Sequence, residues 1–346
     1  MAEVRIAARV GLLGVSGAGK TGLFAILTGT EYGRAVAAGG KSVAASVRVE
    51  DPRLLRMHQV EGPQKKLVAP LLEIVDGPAV ALSGPEKQDN PGILSQFREC
   101  DAYLAVLKAY DGSDPKAQLE GLWGELFLAD VESMNRKIDK LKAEIKKSIP
   151  NRDEVQRELS VFQHLSEGVL GGDTKVFEKL TPEEERRIRG FQFFSRKPIV
   201  PLRNVGETQV GSAVEGIATC LNLEAELLAL EGAEREAYMR DYGLSSLVTM
   251  GLPVRLYREL GFQTFATVGD KDVTAWNLRK GSTALEAAGR IHTDIQRGFI
   301  NCEVVSFVDW EKFGGYHEAR SRGKARTEGK AYGMQDFDIV HIKFNV

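Results

Sequence analysis

The first hydrophobic run of the chain ends in a glycine-rich turn. Residues 3–14 (EVRIAARVGLLG) are rich in β-prone residues, and the segment TGLFAILTG after the turn has the composition of a helix. A buried strand that passes through a glycine loop into a helix begins an α/β unit. Later apolar runs at Lys66–Val75, Ala102–Leu107 and Pro198–Leu202 are typical of strands buried on both faces of a sheet. The pattern predicts an α/β domain with a parallel-type sheet.

The stretch from residue 116 to residue 194 has a helical period instead. Apolar residues recur there every three or four positions between Lys, Glu and Asp, which indicates one long amphipathic helix. Pro150 breaks this pattern, and a second run with the same period follows from Val155 to Leu165. Two helices joined by a short break predict an antiparallel hairpin of coiled-coil type. The pattern fits structural packing, and it leaves open a role in binding a partner.

Two shorter signals complete the organisation of the chain. Thr181-Pro182-Glu183-Glu184 predicts a further helix start, with Thr as the N-cap and Glu at the third helical position. From about residue 263 the pattern becomes mostly β, with strands predicted in GFQTFATVG, DVTAWNL, NCEVVSFVDW and DIVHIKFNV and one short helix at Thr283–Ile291. Within this tail, Lys312–Lys330 is predicted to be a positively charged loop, with six Lys or Arg against two acidic residues.

Composition narrows the class of protein. Of 346 residues, 43% are hydrophobic and 27% are charged, which is typical of a globular protein. Lys and Arg number 46 against 48 Asp and Glu, so a strongly basic, histone-like nucleic-acid binder is excluded. The three cysteines are widely spaced, which fits a reducing compartment. Without an apolar run of about 18 residues or a signal peptide, we expect a cytoplasmic protein with no membrane and no DNA partner.

The glycine-rich turn carries the strongest chemical signal. Gly14-Val15-Ser16-Gly17-Ala18-Gly19-Lys20-Thr21 matches the pattern GxxxxGK[ST] in full. Glycines allow backbone N–H groups to surround phosphate oxygens, Lys20 supplies a cation to the β- and γ-phosphates, and the Thr21 hydroxyl is a ligand for Mg²⁺. The turn lies between a predicted strand and a predicted helix, which is the context that this motif requires. The sequence therefore predicts a nucleoside triphosphate site.

Two further segments have the position of nucleotide-site loops. Asp76 ends the predicted strand LLEIV, where an acidic residue commonly supports Mg²⁺, although a strand-end turn is the alternative. Asn204-Val205-Gly206-Glu207 follows the strand PIVPL, where GTPases have [NT]KxD to read guanine. Val205 and Glu207 replace the Lys and the Asp, so strict guanine recognition is not expected. By itself the NxxE pattern is also compatible with ordinary loop residues.

Taken together, these motifs resemble the YchF/Obg-like ATPase family of Obg-related P-loop NTPases. The resemblance rests on the P-loop at 14–21, the run VEDPRL at 49–54, the helix start GELFLAD at 124–130 and the loop at 204–207. In the tail it rests on LGFQTF at 260–265, RIHTD at 290–294, RGFI at 297–300 and HIKFNV at 341–346.

The family resemblance implies a molecule in three parts. These are a P-loop nucleotide-binding domain at residues 1–115 and 195–262, a helical coiled-coil arm at 116–194, and a C-terminal β-grasp domain of the TGS type at 263–346. The resemblance also implies a preference for ATP, with Asn204 and Glu207 facing the adenine and Cys220-Leu221-Asn222 forming a third base-contacting loop. The implied partner is the ribosome or ribosomal RNA, and the basic Lys312–Lys330 segment is compatible with an RNA phosphate contact or with a solvated loop.

Several positions depart from the family pattern where the γ-phosphate would be sensed and cleaved. Ala79 stands where DxxG has its glycine, and no Thr occurs from Glu31 to Glu50 to complete a Mg²⁺ shell. The segment Ala109–Pro115 has no His. Val80, by contrast, matches the family, which has a hydrophobic residue in the place of a catalytic glutamine. We therefore expect ATP with Mg²⁺ to be bound and hydrolysed slowly, with Lys20 as the catalytic cation, in a nucleotide-gated translation factor. A pseudo-NTPase, a GTP-binding protein and a pure interaction protein remain alternatives.

Overall fold

A computed structural model describes residues 6–31, 40–147, 150–210 and 216–345, without the side chain of Thr174. The strands are β1 Ile6–Leu13, β2 Val43–Arg48, β3 Lys66–Val68, β4 Leu71–Asp76, β5 Ala102–Lys108, β6 Ile199–Asn204, β7 Ile217–Thr219, β8 Phe262–Val268, β9 Asp272–Arg279, β10 Phe299–Val305, β11 Arg326–Glu328 and β12 Asp338–Phe344. The α-helices are α1 Lys20–Thr28, α2 Pro52–Glu61, α3 Asn90–Ser95, α4 Pro115–Ile145, α5 Arg152–Leu170, α6 Pro182–Ile188, α7 Leu221–Ala229, α8 Gly232–Asp241, α9 Val248–Glu259, α10 Ala284–Ile291, α11 Thr293–Arg297, α12 Phe307–Phe313 and α13 Tyr316–Ser321. Short 3₁₀ helices lie at Pro85–Asp89, Thr174–Lys179, Arg189–Phe191, Phe194–Arg196 and Glu207–Gln209.

The described residues form two compact units. One contains those of Met1–Ala8, Ala45–Glu73 and Met250–Val346, and the other contains those of Arg9–Ala44 and Ile74–Thr249. The predicted division into three domains stays a prediction, and the predicted arm lies within the second of these units. No helix in the described part of the chain is long and apolar enough to cross a membrane.

The first sheet has the strand order β2-β4-β1-β5-β6-β7. Its central strands pair in parallel, with Val10 opposite Ala102 and Tyr103 opposite Ile199. All but the last residue of β5 are buried, as expected for a strand covered on both faces. The predicted α/β fold with a parallel-type sheet is therefore confirmed. Because parallel strands end at one edge, the segments after β1, β4, β5 and β6 are brought together there.

The predicted helical hairpin is present. Helix α4 has 31 residues and α5 has 19, and their apolar seams pack against each other around Met134, Leu141 and Phe162. At the base of the hairpin, the fully buried Asp130 carboxylate accepts hydrogen bonds from the backbone N–H groups of Phe194 and Ser195, at 3.0 and 2.8 Å. These bonds fix the returning chain beside α4. The helix start at Thr181 also forms the predicted reciprocal capping box with Glu184.

The second sheet has the order β11-β10-β12-β8-β9-β3, with β8 and β12 parallel to each other. Its tail strands were largely predicted, and the structure has more helices there than expected. The run NCEVVSFVDW is a strand only as far as Val305, because Ser306 accepts a hydrogen bond from the N–H of Asp309 and caps α12. The Lys312–Lys330 segment is not a loop, since it contains the end of α12, α13 and β11.

The predicted strand at Lys66–Val75 is two strands in different sheets. Residues Lys66–Val68 pair in parallel with β9 in the second sheet, whereas Leu71–Asp76 belongs to the first sheet. The break falls at Ala69-Pro70, and proline cannot donate a ladder hydrogen bond. The single continuous strand was therefore a wrong prediction, although both halves are β structure.

Candidate functional site

The P-loop turns sharply between β1 and α1 and needs glycine at three positions. A Cβ at Gly14 would lie 2.4 Å from the carbonyl oxygen of Val106, so the loop passes too close to β5 for any side chain. Gly17 has a φ of +74°, and Gly19, the N-cap of α1, has a φ of +100°. The N–H groups in the first turn of α1, which follows this loop, have no partners within the helix. An anion is stabilised there by those donors and by the helix dipole.

Lys20 is the cation of this loop, and it is almost completely buried at 7% exposure. Its Nζ donates hydrogen bonds to the carbonyl oxygens of Gly14, at 3.0 Å, and Val15, at 3.3 Å. Burial lowers the pKa of Lys20, and the nearby Asp76 carboxylate works in the opposite direction. The side chain is therefore held against the P-loop backbone with its charge incompletely compensated, which suits it to bind a phosphate oxygen.

Asp76 and Thr21 lie together beside Lys20. Asp76 ends β4 and is 4% exposed, and it accepts a hydrogen bond from the Thr21 side chain. Burial raises the pKa of the Asp76 carboxyl, while the Thr21 hydrogen bond and the Lys20 charge oppose that rise. Its buried Oδ1 has no hydrogen-bond partner among the described residues. A buried carboxylate oxygen without a partner, next to a hydroxyl, matches the oxygen ligands that Mg²⁺ prefers.

The protein by itself offers a sparse metal site. No group of three or more His, Cys, Asp and Glu residues that could hold a metal ion occurs in the part of the chain that the structure describes. Mg²⁺ is commonly bound by one or two protein oxygens together with substrate phosphates and water. The Thr21 and Asp76 pair therefore fits a cation that arrives with a nucleotide.

A cavity of about 760 Å³ opens beside the P-loop and is large enough for a nucleotide. It is bounded by the P-loop and the first turns of α1, by Tyr110 after β5, by the loop after β6 and by the start of α7. The predicted nucleotide residues that line it are Gly17, Ala18, Gly19, Lys20, Thr21, Val205 and Glu207, together with Asn204. The fold thus brings the P-loop and the predicted base loops to one cavity.

Asn204 joins two of these loops. Its Nδ2 donates a hydrogen bond to the carbonyl oxygen of Ala18 at 3.0 Å, and its Oδ1 accepts one from the backbone N–H of Leu221 at 3.1 Å. The side chain is buried, and a Cβ at Gly19 would lie 2.7 Å from its Nδ2. Both ends of the amide are therefore used inside the protein. This geometry assigns Asn204 to holding the P-loop against the start of α7.

The other residues of the loop differ in their exposure. Val205 is buried, and its backbone N–H donates to the carbonyl oxygen of Thr219 at 2.9 Å. Glu207 is exposed at the cavity margin, at the start of a 3₁₀ turn. Asn204 uses one of its two N–H donors and one of its two acceptor lone pairs in the bonds described above, so its contact with adenine stays a prediction. The Glu207 carboxylate is exposed and can accept a hydrogen bond from a base. Its contact with adenine stays a prediction.

Tyr110 is a cavity residue that the sequence analysis did not assign. It is the second residue after β5, and its hydroxyl donates a hydrogen bond to the carbonyl oxygen of Gly17 at 2.8 Å. Its ring remains 45% exposed, on the same cavity. Its position in the sequence could have indicated this role, because the first residues after a parallel strand lie at the carboxyl edge of the sheet, where ligands bind.

The structure also locates residues that were considered for hydrolysis. Val80 is 1% exposed and packs in the core with Val75 and Phe97, so it cannot orient a water molecule. Residues 32–39, part of the segment in which a switch threonine was sought, lie outside the described residues. Lys20, Tyr110, Glu207 and Cys220 are the titratable side chains of the cavity lining in the described ranges. None of them is placed as a general base beside the P-loop.

Comparisons with known proteins show similarity along almost the whole chain. A family model named YchF-GTPase_C, "Protein of unknown function (DUF933)", matches residues 262–345. The "Ribosome-binding ATPase YchF" of Bacillus subtilis (strain 168) is 30% identical over 371 aligned residues, which cover 99% of this chain and 100% of that protein. The protein of the same name from Escherichia coli O157:H7 is 29% identical, covering 98% and 99%. A solved structure, the Schizosaccharomyces pombe YchF GTPase, has a TM-score of 0.75 at 21% identity and 99% coverage of both chains.

Proposed function

Because the chain belongs to the YchF family, we propose that it is an ATP-binding P-loop NTPase that hydrolyses its nucleotide slowly and acts on the ribosome. One observation carries the nucleotide part of this proposal. The N-terminal end of α1, the buried Lys20 and the base loops at 204–207 and 220–222 meet around a single cavity of nucleotide size. The relatives are named ribosome-binding ATPases, which supports the second part. Such a factor works in the cytoplasm.

In the proposed complex the triphosphate lies along the P-loop from Gly14 to Thr21. Backbone N–H groups at the start of α1 donate to its phosphate oxygens, and the Lys20 ammonium exchanges its two carbonyl partners for the β- and γ-phosphates. Glu207, at the other end of the cavity, accepts from the exocyclic amino group of adenine. Guanine presents a carbonyl oxygen at the same position, which repels a carboxylate.

The Thr21 hydroxyl and the Asp76 carboxylate are the residues that would hold Mg²⁺, directly or through water. Mg²⁺ held there would neutralise negative charge on the β- and γ-phosphates. The Asp76 carboxylate also balances the charge of Lys20 while the phosphates are away. None of the described residues that line the cavity is placed to accept a proton from an attacking water molecule. Hydrolysis is therefore slow. Nucleotide binding, more than turnover, then sets the state of the protein.

Calorimetry with ATP, ADP and GTP, each with and without Mg²⁺, tests this proposal. We expect saturable ATP binding that is tighter than GTP binding and is strengthened by Mg²⁺. Lys20→Ala removes charged hydrogen bonds of roughly 1.5–3 kcal/mol and should weaken ATP binding by about 10- to 150-fold. Lys116→Ala, at a side chain that is 84% exposed at the start of α4, is the matched control and should bind as the wild type does.

Three outcomes separate the alternatives. An absence of heat with ATP up to high concentration would remove nucleotide from the function and leave an interaction protein. Equal steady-state turnover in the wild type and in Lys20→Ala would reduce the protein to a nucleotide-binding pseudo-NTPase. Tighter binding of GTP than of ATP would refute the role of Glu207.

A further inference from the structure

Residues 220–222, here named the base segment, join the end of β7 to the first turn of α7 and line the nucleotide cavity. Cys220 is the N-cap of α7 and makes no side-chain capping hydrogen bond. The backbone N–H of Leu221 donates to Asn204, and Asn222 is exposed. Because its N-cap supplies no side-chain bond, the base segment depends on neighbouring residues for its position beside a bound base.

Glu224 connects the two sides of the base segment. It lies one turn into α7 and is buried, with 3% exposure. The hydroxyl of Thr219, which precedes the segment, donates a hydrogen bond to the Glu224 carboxylate, and the N–H of Glu224 donates to the carbonyl oxygen of Cys220 at 3.0 Å. Bonds between residues before and after the base segment therefore close it into a ring.

The same carboxylate is bound to the start of α9. Its Oε1 accepts a hydrogen bond from the N–H of Val248 and its Oε2 accepts one from the N–H of Thr249, both at 2.8 Å. The Thr249 hydroxyl also donates to Oε2. Val248 and Thr249 are the first two residues of α9, so their N–H groups have no partners within the helix, and the helix dipole favours a carboxylate there. Helix α9 thus serves as an anchor for Glu224, within one compact unit.

This arrangement requires a carboxylate. The two oxygens of Glu224 accept four hydrogen bonds, from two backbone N–H groups and two hydroxyls. An amide has only one acceptor oxygen, so its NH₂ group would face some of these donors. Glu224 is not among the residues that line the cavity in the described part of the chain. Any effect of this side chain on a nucleotide therefore passes through the base segment.

We propose that Glu224 is a positioning residue of the nucleotide site, which holds the base segment in place by using the start of α9 as its anchor. This inference rests on the proposed function, in which the base lies in this cavity. The P-loop has separate supports, namely the close approach of Gly14 to β5 and the hydrogen bonds from Tyr110 and Asn204. Loss of the carboxylate should therefore weaken contacts with the base and leave contacts with the phosphates in place.

Calorimetry with the full chain tests this by comparing ATP with inorganic tripolyphosphate, which has the phosphates but no base, both in the presence of Mg²⁺. Glu224→Gln keeps the size of the side chain and replaces one acceptor oxygen with a donor. We expect its ATP affinity to fall by about 3- to 10-fold, as for the loss of one hydrogen bond. Its tripolyphosphate affinity should remain that of the wild type. Glu226→Gln makes the same charge change at an exposed position of α7 and is the matched control.

Thr249 provides a second test at a residue outside the cavity lining. Thr249→Val removes the hydroxyl that donates to Glu224 and keeps the shape of the side chain, whereas Thr249→Ser retains a hydroxyl. The Val variant should lose ATP affinity in the same direction as Glu224→Gln but by less, and the Ser variant should bind ATP as the wild type does. This pair decides the proposal if Glu224→Gln fails to fold in circular dichroism.

Several results would overturn the proposal. Equal losses of ATP and tripolyphosphate affinity in Glu224→Gln would show a general loss of structure. Wild-type ATP affinity in Glu224→Gln or Thr249→Val, or an equal loss in Glu226→Gln, would contradict the role of the carboxylate. A wild type that binds ATP but not tripolyphosphate would show that the phosphate end has no independent support. A wild type that binds neither ligand would refute the proposed function, and this inference with it, so the wild type and the variants separate the two failures.

Discussion

Truncating Asn204 distinguishes a residue that joins two loops from one that reads a base. The Asn204→Ala change removes two buried hydrogen bonds, of 3.0 and 3.1 Å, that connect the P-loop to the start of α7. It leaves the carbonyl oxygen of Ala18 and the N–H of Leu221 without these partners. Each buried group left unsatisfied costs about 1–3 kcal/mol. Water in the adjacent cavity reaches part of this surface, so we expect an unfolding free energy lower by about 2–4 kcal/mol.

The same change should weaken nucleotide binding without altering its selectivity. Once the P-loop is no longer held against α7, phosphate donors are misplaced for any triphosphate. ATP and GTP should therefore lose affinity in equal proportion, by about tenfold, which corresponds to 1.4 kcal/mol. Urea unfolding gives the stability difference, and calorimetry gives the two affinities. Asn151→Ala, an exposed amide outside the cavity whose side chain makes no capping hydrogen bond, is the control, with a stability change within about 0.5 kcal/mol.

One pattern of results would refute this reasoning. If Asn204→Ala keeps wild-type stability while its ratio of ATP to GTP affinity changes more than tenfold, the amide contacts the base. Glu207→Ala provides the complementary measurement, because its exposed carboxylate should change that ratio and leave stability unaffected.

Further predictions concern the P-loop and its neighbours. Gly19→Ala should lower the unfolding free energy by about 1–3 kcal/mol, because the backbone there is left-handed, and it should abolish ATP binding. Gly124 lies within α4 with open space around it, so Gly124→Ala should raise the unfolding free energy measured in urea by about 0.5–1 kcal/mol. Tyr110→Phe, without the hydrogen bond to Gly17, should weaken ATP binding by about 0.5–1.5 kcal/mol in calorimetry, and an unchanged affinity would show that this bond does not order the P-loop. Burial raises the pKa of the Asp76 carboxyl in the folded protein above its ordinary value of 3.8. The protonated carboxyl therefore contributes a stability that is fully present below pH 3.8 and is lost as the pH rises through the pKa of the folded state. Asp76→Asn should remove this pH dependence from thermal unfolding and abolish the Mg²⁺-dependent gain in ATP affinity, and retention of either effect would contradict the assignment.

Local sequence determined the elements whose physical cause is itself local. The P-loop follows from glycines whose φ values of +74° and +100° other residues rarely adopt, placed between an apolar strand and a helix. The long hairpin follows from a 3.6-residue period interrupted by proline, and the start of α6 follows from the reciprocal bonds of Thr181 and Glu184. Each of these depends on residues only a few positions apart. They could therefore be predicted without knowing the rest of the fold.

Tertiary structure decided which distant segments meet. The apolar run at Lys66–Val75 contains no signal for which sheet each half joins, because strand pairing depends on partners such as β9, some 200 residues away. The family resemblance implied that Asn204 faces a base, but no local pattern indicates its two hydrogen bonds to Ala18 and Leu221, which exist only once three loops are assembled. The Asp76 oxygen that has no hydrogen-bond partner among the described residues likewise results from burial beside Lys20. Long-range packing determines how far these groups are exposed to water and which charges surround them. The order of residues along the chain does not indicate that packing.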